Sequence, residues 1–275
     1  MTQVISIVTP VFNRAEAVIE SINSSLRFLK EIGQTGEIIV VDDASSDGSC
    51  AAISNAFANQ IADKILRLIS LRVNIGPTGA KQVGAEHAKG QWVIFMDSDD
   101  SFIVESSSDA CLALESVPVG CPVVFFRCID KADGQLIGPS LESLLWLDFQ
   151  EFLNRGTPGE CLPAVRRDYL MAAPYYEDLR GFESLTYAEL IQRFGPACVV
   201  PVILRRYCTN ESGGRLSTRR AIRLRGCLIA KGYLRMVILF NFKLRGQLLS
   251  LIMRIFYHGL NCLLFGTFRK IGHKK

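Results

Sequence analysis

Residues 92–100 read WVIFMDSDD, an apolar run that ends on Asp97, Ser98, Asp99 and Asp100. Three carboxylates in four positions repel one another unless something positive lies among them. Carboxylates at a strand end bind hard cations or accept hydrogen bonds from hydroxyls and ring N–H groups. Mg²⁺ takes one or two carboxylates, keeps some waters, and fills its remaining positions with substrate phosphates. The chemistry open to this spacing is therefore the capture of a divalent cation together with a diphosphate. The alternative is a solvated acidic turn behind a core strand. A second run, EIIVVDD at 37–43, also ends on two aspartates, Asp42 and Asp43.

Positioning these carboxylates falls to alternating elements. VISIVTPVF (4–12) predicts a strand and 16–29 a helix. Residues 37–43 predict a strand, ASSDGS a turn, 49–62 a helix and 64–71 a short strand. Pro77 suits the first turn of a helix, and Gly90 its C-terminal cap. The strand of WVIFM follows. Strands apolar on both faces, alternating with helices, indicate a parallel sheet covered on both sides. In open sheets of this kind ligands bind beyond the carboxyl ends of the strands, so both acidic pairs are expected on one rim. Further on, 123–128 predicts a strand, DKADGQ a turn, 141–154 and 183–194 helices, 200–204 a strand, and 217–271 helix.

A chain of 275 residues, 49% hydrophobic and 21% charged, can bury a sizeable core and excludes wholesale disorder. Its nine cysteines show no C-x-x-C pair, which argues against a disulfide framework or zinc site and fits a reducing cytosol. MTQVISIVTP reads as a strand rather than a signal peptide. The net charge of +4 hides an asymmetry: Ser212–Lys275 carries 14 Lys/Arg and no acid, leaving 17 basic against 27 acidic residues elsewhere. Such a tail calls for an anionic partner. It holds no recognisable nucleic-acid module and is strongly apolar, so nucleic acid is not expected and a phospholipid surface is. A spanning helix needs ~20 uninterrupted apolar residues. The window 246–268 is broken by Arg254 and His258, and 227–242 by Lys231 and Arg235. Helices lying in the membrane interface are expected; the alternative is helices packed on the rest of the chain.

The order SIVTPVFNR, EIIVVDDASSDGS, NIGPTGAKQVGAEHAKGQWVIFMDSDD resembles the nucleotide-binding half of the family-2 glycosyltransferases, inverting enzymes of GT-A fold, over residues 3–101. A weaker likeness continues through EDLRGFESLTYAELIQRFG to RRYCTNESGGRLS. The resemblance implies an α/β fold for 1–217, a GT-A Rossmann-like, mostly parallel sheet flanked by helices. Residues 218–275 lie outside the shared pattern and would be a basic amphipathic helical tail that associates with membranes. By resemblance, Thr9, Pro10 and Phe12 line the nucleotide base pocket. Asp42 and Asp43 accept from base or ribose, and Lys81 approaches the diphosphate unless it is a solvated helix lysine. Asp97 lies near ribose and metal, and Asp99 coordinates the metal, Mn²⁺ or Mg²⁺. Glu183 is the base, with Asp178 behind it; the bland reading of Glu183 is a helix N-terminal acid. Gln82 stands where the family has Asn, Ser184 where it commonly has an acid, and Cys208 where it often has His; Cys208 reads as an ordinary buried thiol.

The implied activity is hexosyltransferase-like. A sugar would move from a nucleoside-diphosphate donor, UDP being the commonest, to a hydroxyl of a lipid-linked or polysaccharide acceptor, in cell-surface glycan synthesis on the cytoplasmic face of the membrane. The alternative is a degenerate GT-A domain that binds nucleotide-sugar and partners another transferase. A receiver-like phosphoacceptor domain, suggested by VVDD alone, does not fit the remaining motifs.

Overall fold

A computed structural model describes residues 5–33, 36–209, 222–223, 225–240, 244 and 246–266. Its strands are β1 (Ile5–Val11), β2 (Gly36–Asp42), β3 (Leu66–Ser70), β4 (Trp92–Phe95), β5 (Ser101–Phe102), β6 (Val123–Asp130), β7 (Leu145–Leu147), β8 (Cys161–Arg166) and β9 (Ala197–Tyr207). Its helices are α1 (Ala17–Glu31), α2 (Ser49–Ala56), α3 (Ala58–Ala62), α4 (Pro77–His87), α5 (Ser107–Ser116), α6 (Phe149–Arg155), α7 (Arg167–Ala172), α8 (Ser184–Phe194), α9 (Gly226–Phe240) and α10 (Leu248–Gly266).

One sheet runs β3-β2-β1-β4-β8-β6-β9-β5, with β7 on β9. The half that carries the motifs, β3-β2-β1-β4, is parallel throughout. β8 enters antiparallel to β4 and β6, while β6 and β9 run parallel to each other. Six of the nine described strands therefore point the same way, and the sheet is mostly parallel as expected.

The continuous apolar runs follow from this architecture. Successive residues of a strand point to opposite faces. Ile38 and Val40 enter one core with α1, α2 and α5, while Ile39 and Val41 enter the other with α4, α6 and α8. Trp92 and Ile94 part from Val93 and Phe95 in the same way.

Several boundaries differ from expectation. The 49–62 helix breaks at Phe57, whose φ of −121° is not helical. The stretch 141–154 is not one helix: β7 occupies its middle, and α6 starts only at a capping box of Asp148 and Glu151. Gly90 does not cap α4, whose C-cap is Ala88. It lies instead against β1, where a Cβ would come within 2.5 Å of the Ser6 nitrogen. β8, reading CLPAVR, was not anticipated, because a strand interrupted by Pro163 shows no clear period.

The described part of the tail is a helical hairpin, and its inner face is part of the protein's core. Met236, Phe240, Leu244 and Leu251 belong to the same buried cluster as Phe152 and Leu185. Phe240 meets Phe149 edge-on at 4.9 Å. A disulfide joins Cys227 to Cys262 across the hairpin, with Cα atoms 5.2 Å apart. This corrects the expectation of no disulfide: the partners are 35 residues apart and meet only when α9 and α10 fold back on each other. The seven other cysteines are free, and Cys208 is only partly buried. Among the described residues no helix is long and apolar enough to cross a membrane. The expected boundary at 217/218 lies outside the described residues.

Candidate active site

β2 and β4 flank β1 and run parallel to it, so Asp42/Asp43 and Asp97/Asp99 emerge on the same edge of the sheet. Loops past β1 and β2 lock together there. Asn13 donates its backbone N–H to Ser45 Oγ (3.0 Å) and accepts from Ser46 N at Oδ1 (2.8 Å), while Arg14 N donates to Ser49 Oγ (3.1 Å). Asn13 and Ala44 both hold positive φ, 51° and 61°. Such backbone conformations are uncommon for non-glycine residues and gather at functional sites.

Thr9 and Pro10 are buried in β1, and the Thr9 hydroxyl has no hydrogen-bond partner among the described residues. Phe12 is 47% exposed at the rim. Asp42 is buried and accepts from Ser45 N at 3.3 Å. Asp43 is buried too, and each of its oxygens accepts a backbone N–H, from Ile75 at 2.7 Å and Gly76 at 2.8 Å. Burial raises the Asp43 pKa against the pull of these two bonds. Asp43 thus fixes the turn that leads into α4.

α4 carries Lys81 to the centre. Its ammonium lies 3.2 Å from Asp97 Oδ1 and 3.3 Å from Glu183 Oε1. Burial works to lower the Lys81 pKa, but Asp97 and Glu183 together outweigh it and raise it. Lys81 is therefore a permanent cation that joins the two halves of the site. Glu183 reaches it from the N-cap position of α8, although its side chain makes no cap hydrogen bond.

Two arginines complete the arrangement. Arg14 Nη1 donates to Asp99 Oδ2 at 2.9 Å. Arg205, buried on β9, lies 3.2 Å from Asp100 and 3.8 Å from Asp97, and also donates to Glu160 Oε1 at 2.9 Å. Burial, opposed by Arg205, raises Asp100 to about 7. Cys208 contributes only its backbone N–H, which donates to Asp100 at 2.8 Å. Mutual repulsion among the carboxylates is thus relieved by the protein's own cations. Sequence reasoning missed Arg14 and Arg205. For Arg205 the available signal was the pair of arginines closing the otherwise apolar stretch VPVILRRY.

Asp97 and Asp99 are hard oxygen donors with 39% and 18% side-chain exposure. Two such carboxylates match what Mg²⁺ requires when phosphates supply the rest. Among the described residues no group of three or more His, Cys, Asp or Glu is assembled for a metal. Gln82 turns away from the rim, accepting from Tyr175 N at 3.0 Å and donating to Glu86. Asp178 faces α9, where Lys231 and Arg235 hold it at 2.6 and 2.8 Å. An apolar pocket of about 260 Å³ lined by Pro118, Cys121, Trp146, Phe194 and Pro196 contains none of these carboxylates; it lies where β6 and β9 begin, at the opposite edge.

Comparison with known proteins bears on the fold and the family. The chain is 28% identical over 193 residues to a GalNAc(5)-diNAcBac-PP-undecaprenol beta-1,3-glucosyltransferase of Campylobacter jejuni, covering 68% of this chain and 59% of that one. It is 36% identical over 97 residues to the succinoglycan biosynthesis protein ExoO of Rhizobium meliloti, covering 35% and 26%. The chain thus spans about a quarter to three fifths of the length of these curated relatives. Among solved structures, S. aureus TarS 1-349 with UDP-GlcNAc superposes with a TM-score of 0.67 at 19% identity, covering 85% of this chain and 66% of that one. The mannosyltransferase PcManGT of Pyrobaculum calidifontis, with GDP-Man and Mn²⁺, gives 0.64 at 16%, covering 96% and 75%. These likenesses establish the GT-A fold. The profile of "Glycosyl transferase family 2" matches residues 6–159, more than half of the sequence, and the chain belongs to that family.

Proposed function

We propose that this chain is an inverting glycosyltransferase that moves a sugar from a nucleoside-diphosphate donor, UDP above others, to a hydroxyl of a lipid-linked or polysaccharide acceptor in cell-surface glycan synthesis. The observation that carries the reading is Lys81. One buried ammonium holds Asp97, from the donor-type motif, and Glu183, from the opposite half. A carboxylate at position 183 therefore stands beside the place where a donor diphosphate would lie. The undecaprenol-linked substrate in the name of the Campylobacter relative and the nucleotide-sugars in the titles of the TarS and PcManGT structures support the choice of substrates.

Glu183 accepts the proton of the acceptor hydroxyl as its oxygen attacks the anomeric carbon. The bond from that carbon to the diphosphate oxygen breaks on the opposite face, and the configuration inverts in one displacement. General-base help of this kind contributes ~10²–10⁴-fold. Asp43 holds the turn under the nucleotide, with lone pairs left for the base or ribose, and Phe12 offers an exposed ring beside it. Lys81 stands ready to neutralise diphosphate charge. Asp97 and Asp99 would hold Mn²⁺ or Mg²⁺, which would stabilise negative charge on the departing diphosphate.

The outer face of α10 exposes Leu249, Met253, Phe256, Tyr257, Leu260 and Leu263, each 56–73% accessible. A tail without acidic residues commits this stripe to an anionic bilayer, with the rings in the headgroup region and Lys/Arg on the phosphates. The enzyme would then sit peripherally on the cytoplasmic face. Co-sedimentation with phosphatidylglycerol vesicles, but not with phosphatidylcholine vesicles, tests this surface. Nucleoside-diphosphate release from a panel of nucleotide-sugars, lost in Glu183→Gln, tests the reaction. Donor binding with no release from any of them would instead support the non-catalytic partner.

A further inference from the structure

We infer that α9 is a positioning platform for the catalytic base, and that Asp178 is the positioning residue through which it acts. This rests on Glu183 being the base. Residues 173–183, between α7 and α8, belong to no regular element, so sheet and helix hydrogen bonds do not fix the approach to Glu183. Side-chain contacts fix it from two sides. Toward the donor half, Arg180 donates to Asn74 O at 2.5 Å, Gly181 N donates to Thr78 Oγ1 at 2.5 Å, and Glu183 meets Lys81.

On the other side, α8 holds Tyr176 through Glu189 Oε2, which accepts from the Tyr176 hydroxyl at 2.6 Å, and the tail supplies the contacts to residues 178, 180 and 182. Lys231 Nζ and Arg235 Nη1, one helical turn apart on α9, take one oxygen each of Asp178, at 2.6 and 2.8 Å. The Arg235 guanidinium also lies over the Tyr176 ring, 4.9 Å from its centroid. Between the two cations Gly232 leaves room for Phe182, the residue before Glu183. A Cβ at position 232 would come within 2.6 Å of that ring. Tyr233 meets the same ring edge-on at 5.2 Å. Arg225, just before α9, donates to the Arg180 carbonyl. Residues 178, 180 and 182 are thus each held by the tail, and Tyr176 by α8 and the tail together.

The magnitudes separate fold from function. Asp178, Lys231 and Arg235 are 43%, 52% and 33% exposed, and ion pairs this open add little to stability. Their effect is geometric. A displacement of ~1 Å at a reacting group can cost ~10²-fold in rate, and Glu183 lies five residues from Asp178. The same contacts explain why Asp178, a carboxylate near the base, is not itself the base: both of its oxygens are taken by α9.

The test is a mutant cycle in the full-length protein: Asp178→Asn, the pair Lys231→Gln/Arg235→Gln, and all three together. UDP release is measured with whichever of UDP-glucose, UDP-galactose and UDP-N-acetylglucosamine turns over fastest, and UDP affinity is measured by calorimetry. Hydrogen exchange is followed at the Leu179 and Phe182 amides, which donate to Tyr176 O and Leu179 O. The expectation is a ~10-fold or greater fall in kcat in each variant, with UDP affinity within about twofold and no further loss in the triple variant. Faster exchange at both amides accompanies it, Asp178→Glu restores part of the rate, and Gly232→Ala reproduces the loss. Unchanged exchange in Asp178→Asn overturns the inference even if no sugar turns over. So does a large kcat loss in Asp178→Asn that the Lys231/Arg235 pair does not share, which would make Asp178 the base. Glu183→Gln with undiminished kcat refutes the assignment of the base, a result distinguishable from either of these.

Discussion

At the scale of single residues, the site is organised by one lysine rather than by the acidic triplet that announces it. Asp97 and Asp99 stood out by type and spacing, whereas Lys81 and Glu183 were singled out only by the family resemblance. The bond between the two halves was not legible, because Lys81 and Glu183 are 102 positions apart and only the fold brings them together. Arg14 and Arg205 escaped for the same reason, each meeting its carboxylates across the sheet. Replacing Lys81 by Met leaves Asp97 and Glu183 facing each other without the cation they share. We expect kcat/KM for the donor to fall by ~10²-fold or more, as when a preorganised charge partner is removed. Steady-state kinetics against donor concentration checks this. Lys81→Arg, which keeps the charge in a different shape, should retain part of the lost activity.

Elements were read well where the pattern was periodic and poorly where tertiary contacts choose the structure. β1, β2, β4 and α4 lie close to their expected bounds because each strand must feed both cores and each helix starts at a turn signal. The 141–154 stretch was misread because its apolar residues fit a helix by spacing, whereas Leu145–Leu147 pair with the start of β9. α9 shows how an element acquires a second role. Its cations, expected at a lipid surface, are partly spent on Asp178. The hydrogen bond from Lys231 is the largest cause of the lowered Asp178 pKa, with Arg235 adding to it. A depressed carboxylate pKa gives stability that is present above the unfolded value, 3.8, and is lost as pH falls through the lower folded value. Protection of α9 from hydrogen exchange, corrected for intrinsic rates, should therefore stay level from neutral pH down to about pH 5. A small further decline should come as acid titrates Asp178, in keeping with so exposed a pair, and Asp178→Asn should lack that part of it.

For the molecule as a whole, composition and packing draw different lines. An acidic body and a basic tail are distinct in composition, yet the inner face of the tail is continuous with the body's core. Removing 218–275 would uncover the surfaces against which Met236, Phe240, Leu244 and Leu251 pack, side chains whose burial is worth ~1.5–3 kcal/mol each. A chain ending at 217 should accordingly melt well below the full-length protein and tend to aggregate, as thermal unfolding and size-exclusion chromatography would register. Composition could not foretell this, since a helix buried on one face and apolar on the other looks the same whichever face meets protein. The Cys227–Cys262 bridge adds a topological consequence. It ties the beginning of α9 to the latter part of α10 and so closes a covalent ring around the connection between them. A single tryptic cut inside that ring therefore should not release α10. On a denaturing gel without thiol the nicked chain should run as one band, and adding dithiothreitol should shed a small C-terminal peptide.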